Sequence, residues 1–412
     1  MNSELPAVLG GSPAFDSMLA LVKPALPKPA GLQPAVERML ASGMLTKGKH
    51  LVEFETALAE HLHVRHAVAV SSCTTGLMLA YRAMELTGEV IVPSFTFMAT
   101  VGALAWLRVR PVFVDVRRDT VVLDPEAVER AITPRTTAIV AVHTFGNPAD
   151  MDALQRIADR RGLRLIYDAA HGFGTLYRGR PVGAQGDAQV FSIRPTKLLI
   201  AGEGGVVATN DDQLAEQIRI GREYGNDGSY DTVLLGMNAR MGEFNALLGL
   251  QSLRMLEDAA RERNRLAAAY RRHLDRLPGI ELQRVEVGDR CSYKDFSIVI
   301  HSREFGLDRD QTADALRAER IDTRKYYYPA VHRHAVYREL NADDALLPNT
   351  NFLADNSLSL PMGAHLTEES VARVCAALER LHRHAAAIRK QGRAAPLFDG
   401  AVTTAFTARV AP

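Results

Sequence analysis

Tryptophan occurs once and cysteine three times in 412 residues, and what is scarce narrows the reading before any motif does. Cys73, Cys291 and Cys375 lie far apart in the chain. An odd, scattered set of this kind builds neither a disulfide framework nor a clustered zinc site, and a reducing cytoplasm is the compartment expected. An excess of either charge is also missing: 49 Lys+Arg against 48 Asp+Glu leave +1. That excludes a protein devoted to coating nucleic acid or an anionic membrane, which needs concentrated basic charge. Long apolar runs are scarce too. The uncharged stretch 90–107 reads VIVPSFTFMATVGALAWL, and Pro93, Ser94, Thr96, Thr100 and Gly102 punctuate it as strand, loop and helix instead of a membrane span. The N-terminus carries no pattern of an export signal.

What is present is ordinary for a folded chain: 47% hydrophobic and 24% charged residues, enough for about two or three domains at roughly 150 residues each. Residues 1–33 are rich in Pro, Gly and Ala and are expected to form an arm with little regular structure. Helical spacing follows over 34–62, broken near Ser42 and Gly43. Short apolar runs at 67–70, 90–92, 112–114, 138–142, 163–167, 189–191 and 206–208 then alternate with helical segments at 76–84, 125–131 and 151–160. This alternation predicts an α/β fold with a mostly parallel sheet covered on both faces. The texture changes near Gly242. A long helix is expected over 243–277, stopped by Pro278-Gly279, then a strand at 296–300 and helices at 309–320 and 368–389. The expected division is an arm (1–33), a large domain (34–255), a smaller α+β domain (256–390) and a flexible Ala/Thr/Gly/Pro-rich tail (391–412).

Open α/β sheets bind ligands beyond the carboxyl ends of their strands, so the residues just after each run carry most weight. Asp168 follows a buried run and precedes Ala169-Ala170-His171-Gly172. It is placed to hold a metal, orient a histidine or pair with a cationic ring nitrogen, or else to cap the next helix. Lys197 stands before Leu198-Leu199-Ile200-Ala201 and the glycines Gly202, Gly204 and Gly205. A lysine among apolar residues loses hydration, which favours its neutral, nucleophilic amine; the alternative is a lysine snorkelling to water. Schiff-base chemistry with pyridoxal 5'-phosphate is what a nucleophilic lysine with a nearby acid points to. The hydroxyl-rich turn Ser71-Ser72-Cys73-Thr74-Thr75 at a helix start suits a phosphate, with Ser192 as a further hydroxyl. Phe97 is placed to stack on a planar ring or to fill core. His143 lines the site or fills a turn. His332-x-His334 is too poor in acidic or thiol neighbours for a metal site.

The stretches SGMLTKG, HAVAVSSCTTGLMLA, VIVPSFTFMAT, PVFVDV, ITPRT, VHTFGNPADMDAL, DAAHGFG, GDAQVFSIRPTKLLIAGEGGVVATND and GMNARMGEFNALLGL, in that order, closely resemble the DegT/DnrJ/StrS-type aminotransferases. IDTRKYYYPAVH and LSLP extend the resemblance into the second half. It implies a fold-type I pyridoxal phosphate architecture, aspartate aminotransferase-like, assembled as a homodimer with shared active sites. Lys197 is then the lysine that joins the cofactor and later shuttles the proton, and Asp168 the partner of the ring nitrogen. Cys73, Thr74 and Ser192 lie at the phosphate, Asn238 reaches the partner subunit's phosphate, Phe97 stacks on the ring, and Tyr328 and His332 border the substrate. His171 stands where the family usually has Gln, and Cys73 where its phosphate turn usually has Gly. The resemblance implies transfer of an amino group from an amino acid, glutamate or glutamine, to a nucleotide-linked keto-sugar. The first expectation is dTDP-4-keto-6-deoxyglucose, aminated at carbon 4. The alternatives are a 3-keto-sugar or keto-cyclitol acceptor, or a non-catalytic pyridoxal phosphate-binding regulator.

Overall fold

The computed structural model describes residues 4–340 and 342–391. Seven strands form the main sheet: β1 (His66–Val70), β2 (Glu89–Pro93), β3 (Arg110–Val114), β4 (Thr136–Val142), β5 (Arg164–Asp168) and, past a small hairpin of β6 (Leu176–Tyr177) and β7 (Arg180–Pro181), β8 (Ala188–Ser192) and β9 (Gly205–Thr209). Their order is β1-β9-β8-β5-β4-β2-β3. All the pairings among β8, β5, β4, β2 and β3 are parallel, whereas β9 runs antiparallel to both its neighbours, β1 and β8. Each expected run is a strand, extended by a residue or two at its ends, except that the run expected at 163–167 is shifted by one, to Arg164–Asp168. The reversal of β9 has no signature in the run itself.

Alternate side chains along each strand enter two separate cores. Ala67, Ala69, Ile91, Ile139, Ala141, Leu165, Tyr167, Val206 and Ala208 face one. Val68, Val70, Val90, Val92, Ala138, Val140, Ile166, Val190 and Val207 face the other. A sheet apolar on both faces has to be covered on both. Leu51, Phe54, Leu58 and Leu62 of the helix Lys49–Leu62 cover the first, at the three- and four-residue spacing that makes one helical stripe. The helix Cys73–Ala83 covers the second with Leu77, Leu79 and Ala80.

The long helix Glu243–Leu274 connects this body to another core. Its first half packs Ala246, Leu256 and Ala260 against the main sheet, and its second half packs Leu266, Ala267, Tyr270 and Leu274 against a sheet of β10 (Ile280–Leu282), β11 (Phe296–Ile300) and β12 (Ser357–Leu360). The helix stops before the expected residue 277, with Asp275 as its cap. The helix expected over 368–389 is two, Glu368–Arg383 and Ala385–Gln391, parted at His384. Beyond Gln391 the expected tail lies outside the described residues. No described helix is long and apolar enough to cross a membrane.

The N-terminal arm is mostly irregular and lies against this second core, into which Phe15 inserts. Glu319, fully buried, accepts hydrogen bonds from Ala7 N at 2.9 Å, Ala14 N at 2.8 Å and Arg380 Nη2 at 2.9 Å. One carboxylate thus ties the arm to the last long helix. Removing one member of such a buried set strands its partners, at a cost of about 3 to 5 kcal/mol. Glu319→Ala is expected to lower the thermal midpoint and to expose the arm to limited proteolysis before the rest of the chain is cut.

Candidate active site

Apart from β9, the strands of the main sheet all point their carboxyl ends to one edge, and those predicted residues that end or follow a strand (Cys73, Thr74, Phe97, Asp168, His171, Ser192 and Lys197) are carried to that edge. Asp168 is the last residue of β5 and is 4% exposed. Its Oδ2 accepts from Thr100 Oγ1 at 2.6 Å and its Oδ1 from Ala170 N at 3.0 Å. Thr96 Oγ1 lies 2.8 Å from Thr100 Oγ1, so with Thr100 donating to the carboxylate the protons run in one direction, Thr96 to Thr100 to Asp168. Burial pushes the Asp168 carboxyl above its ordinary range, against the pull of Thr100, Ala170 N–H and the Lys197 charge. A cation brought to this carboxylate would relieve that strain. Asp168 is therefore no helix cap, and Thr100 is a member of the site that the sequence reading missed. Its signal was the threonine pair at positions 96 and 100, one helical turn apart.

Residues 71–75 follow β1 and open the helix Cys73–Ala83. Ser72 and Thr75 close a capping box, Ser72 Oγ accepting from Thr75 N at 3.1 Å and Thr75 Oγ1 from Ser72 N at 3.1 Å. Ser71 Oγ also lies 3.1 Å from Thr75 Oγ1. Three hydroxyls of the turn are thus engaged locally, whereas those of Thr74 and Ser192 make no hydrogen bond among the described residues. Ser192 pairs with Gly205 across β8 and β9. A Cβ on Gly205 would stand 2.5 Å from Cys73 N, so only glycine lets β9 close under the turn. Cys73 needs no left-handed backbone, the conformation a glycine would serve there. Its Sγ instead fills the space below, 3.6 Å from Val190 O and 4.0 Å from Asp168 Oδ1, and burial, with the Asp168 charge next, pushes its thiol well up.

Lys197 lies in the turn after β8, its N–H bonded to Arg194 O at 2.9 Å. Burial, followed by the ammonium of Lys294, brings its amine down to about 8, while Asp295, Cys73 and Asp168 oppose. His171 is buried, its Nδ1 has no hydrogen-bond partner, and burial with Lys197 next holds it well below the usual histidine range, so it is neutral. The set fits a planar anionic cofactor with a basic ring nitrogen. One unengaged hydroxyl, Thr74, stands in the first turn of a helix and another, Ser192, at the end of β8; a buried carboxylate and an unpartnered imidazole nitrogen complete the set.

The remaining predicted residues divide. Phe97, 46% exposed, precedes the helix Met98–Trp106, its carbonyl 3.0 Å from Thr100 Oγ1. Asn238 is exposed, its backbone bridged to Glu223. Tyr328 is also exposed, with the Arg309 guanidinium 4.3 Å from its ring centre. His332 is buried, with Nδ1 at 2.6 Å from Ser94 Oγ and Nε2 at 2.7 Å from Asp344 Oδ1, so both ring nitrogens are engaged within the chain. It braces the loop after β2. His143 fills a turn. Ala149 N donates to its Nδ1 at 3.1 Å, Nε2 faces Gln189 Oε1 at 3.3 Å, and the ring stacks on Tyr167.

Residues 30–379 match the DegT/DnrJ/EryC1/StrS aminotransferase family. The chain belongs to that family. As a DegT/DnrJ/EryC1/StrS aminotransferase it uses pyridoxal phosphate. It is 34% identical over 362 residues to the dTDP-4-amino-4,6-dideoxy-D-glucose transaminase of Escherichia coli, across 87% of this chain and 97% of that one. Among solved structures, DesI, crystallised in the presence of its TDP-sugar product, matches at 39% identity with a TM-score of 0.88, over 95% of this chain and 99% of DesI. DesV of S. venezuelae matches at 35% identity with a TM-score of 0.82, over 89% and 99%.

Proposed function

We propose that this family member transfers an amino group from glutamate or glutamine to carbon 4 of dTDP-4-keto-6-deoxyglucose. The relation to the Escherichia coli transaminase, over nearly the whole of both chains, is the observation that carries the choice of acceptor. Pyridoxal phosphate supplies an electron sink for the bonds made and broken at the amine-bearing carbon. The chain's own part is positioning and proton handling. Asp168, backed by Thr100, holds the proton on the ring nitrogen. Thr74, Ser192 and the amides at the start of the helix Cys73–Ala83 hold the phosphate. His171 Nδ1, which has no partner in the chain, would be free to bond a ring oxygen, and the exposed Phe97 would cover one face of the ring. Asn238, exposed at the site's border, completes the phosphate site of a second copy, so the working unit is a homodimer. With the cofactor and substrate bound, Lys197 would be the residue that takes the proton from the amine-bearing carbon and returns it on the other side of the reaction.

The intact Lys197 and Asp168 speak against a regulator that only binds the cofactor, since binding alone has no use for both. The acceptor is tested by following the visible absorbance of the yellow holoenzyme. Glutamate is expected to bleach it, and dTDP-4-keto-6-deoxyglucose to restore it with formation of a 4-amino sugar identified by mass and NMR. Recovery only with a 3-keto sugar or a keto-cyclitol would replace the acceptor. Failure of glutamate and glutamine alike to bleach the holoenzyme would overturn transamination.

A further inference from the structure

The hydroxyl of Thr100 has more neighbours than one arrangement of its proton can serve. Asp168 Oδ2 lies 2.6 Å away, Thr96 Oγ1 2.8 Å and Phe97 O 3.0 Å. A hydroxyl gives one proton and receives on two lone pairs, so the carboxylate and the carbonyl compete for the proton of Thr100. Bonding back to the carbonyl three residues earlier is what a threonine in a helix often does. The contact with Asp168 is different in kind, because it joins residues 68 apart in the chain. Its length is that of a hydroxyl bonded to an ionised carboxylate. All three side chains are buried, and Thr96 Oγ1 has no other hydrogen-bond partner among the described residues. Two valines would fill the same space with no polar atom to satisfy. Phe97 O, for its part, also accepts from Thr100 N at 3.2 Å, so it keeps a bond when the hydroxyl turns away.

We propose that Thr100, supported by Thr96, is a positioning residue whose hydroxyl turns with the charge of Asp168, so that one carboxyl group is held in place both ionised and neutral. With Asp168 ionised, Thr100 donates to Oδ2 and Thr96 donates to Thr100. With Asp168 protonated on Oδ2, the carboxyl O–H donates to Thr100, and Thr100 turns its own proton to Phe97 O. Ala170 N–H stays on Oδ1 throughout. Both threonines keep their protons, and only rotation about C–O bonds separates the two states. The site can thus hold Asp168 neutral when empty, as burial favours, and charged against a cation, with no heavy atom displaced. This rests on the reading of Asp168 as the partner of the ring nitrogen. The titratable groups that face Asp168 come from other elements: Cys73 and Tyr81 from the helix after β1, Lys197 from the turn after β8, and Tyr327 from the segment before the turn Val331–Arg333. Burial pushes the thiol and the two phenols well up, so among these only Lys197, near about 8, changes charge in the working range.

The test reads Asp168 in cofactor-free, full-length protein. Its neutral carboxyl group is the infrared band that Asp168→Asn removes, and the band is followed across a pH series. Thr100→Val takes away the hydroxyl that serves the charged form and is expected to carry the fading of the band about one pH unit higher. Thr96→Val, one step removed, is expected to move it the same way by less. Thr100→Ser restores a hydroxyl and is expected to return the fading to the native pH. Lys197 is present in every one of these proteins, so their differences belong to the threonines. A folded Thr100→Val protein whose band fades at the native pH would overturn the proposal, and so would a Thr100→Ser protein that behaves as Thr100→Val does. Where Thr100→Val does not fold, Thr100→Ala removes the same hydroxyl without putting a methyl group in its place and is judged by the same outcomes. Failure of the underlying reading looks different: pyridoxal phosphate would then bind the native protein without discharging the band.

Discussion

Lys197→Ala is expected to lower transamination by about a thousandfold or more, the upper part of the range that a positioned acid–base group contributes, and to remove the visible absorbance of the holoenzyme. The expectation follows from the state of the amine. A lysine at its ordinary value is almost wholly charged at neutral pH and can neither attack a carbonyl nor take a proton. Near about 8, a useful fraction of Lys197 is neutral at pH 7, and that fraction grows as pH rises through this value. The fold should survive, because among the described residues the one hydrogen bond of Lys197 runs from its backbone N–H to Arg194 O. Absorbance, activity and a thermal melt measured on one preparation decide the matter. A variant that melts as the native protein does and still turns over at more than a tenth of its rate would show that Lys197 is not the acting residue.

Asp168→Asn has the second largest expected effect, a loss of about a hundredfold or more in kcat, with little change in the stability of the cofactor-free protein. The two consequences part because the carboxylate is costly to the empty site. Its ionisation is opposed by burial, and folding gains nothing from the charge until a cation arrives. Asparagine keeps the shape and one acceptor, toward Thr100 or toward Ala170 N–H, and gives up the other bond at about 1 kcal/mol. The removed desolvation cost offsets that loss. The sign with pH is fixed by the raised folded value. The native chain holds its proton on Asp168 to higher pH than the unfolded chain does, so this group contributes stability below the unfolded carboxyl value and loses it as pH rises through the folded one. Urea melts of the cofactor-free native and Asp168→Asn proteins on both sides of that range check the stability, and steady-state rates check kcat. A variant that loses stability and activity in step would mean that Asp168 is only a structural group.

How much of this was legible in the sequence depended on whether the signal was local. Strands buried on both faces write themselves as short apolar runs, and all seven of the main sheet lie where those runs are. Asp168, the 71–75 turn and Ser192 were visible because each directly follows such a run. Direction was not legible: nothing in Val206-Val207-Ala208 tells that β9 runs against its neighbours, since that depends on pairing across the sheet. His332 looked like a substrate residue in its motif, and only its distant partners Ser94 and Asp344 reveal that both nitrogens are occupied.

The tie between Glu319, the N-terminal arm and Arg380 has a consequence for how the chain is made. The main sheet takes its strands from residues 66–209, so its pairing partners have all left the ribosome well before synthesis ends. The second core draws on Phe15 at one extreme and on Leu381, Ala385 and Ile388 at the other. Its first contributor is therefore synthesised long before its last, and the arm has no finished surface to dock on while the sheet is assembling. Closure of this core has to wait for the helices that carry Leu381, Ala385 and Ile388. A ribosome stalled before Leu381 is expected to present a formed sheet with a loose arm, open to proteases around Phe15.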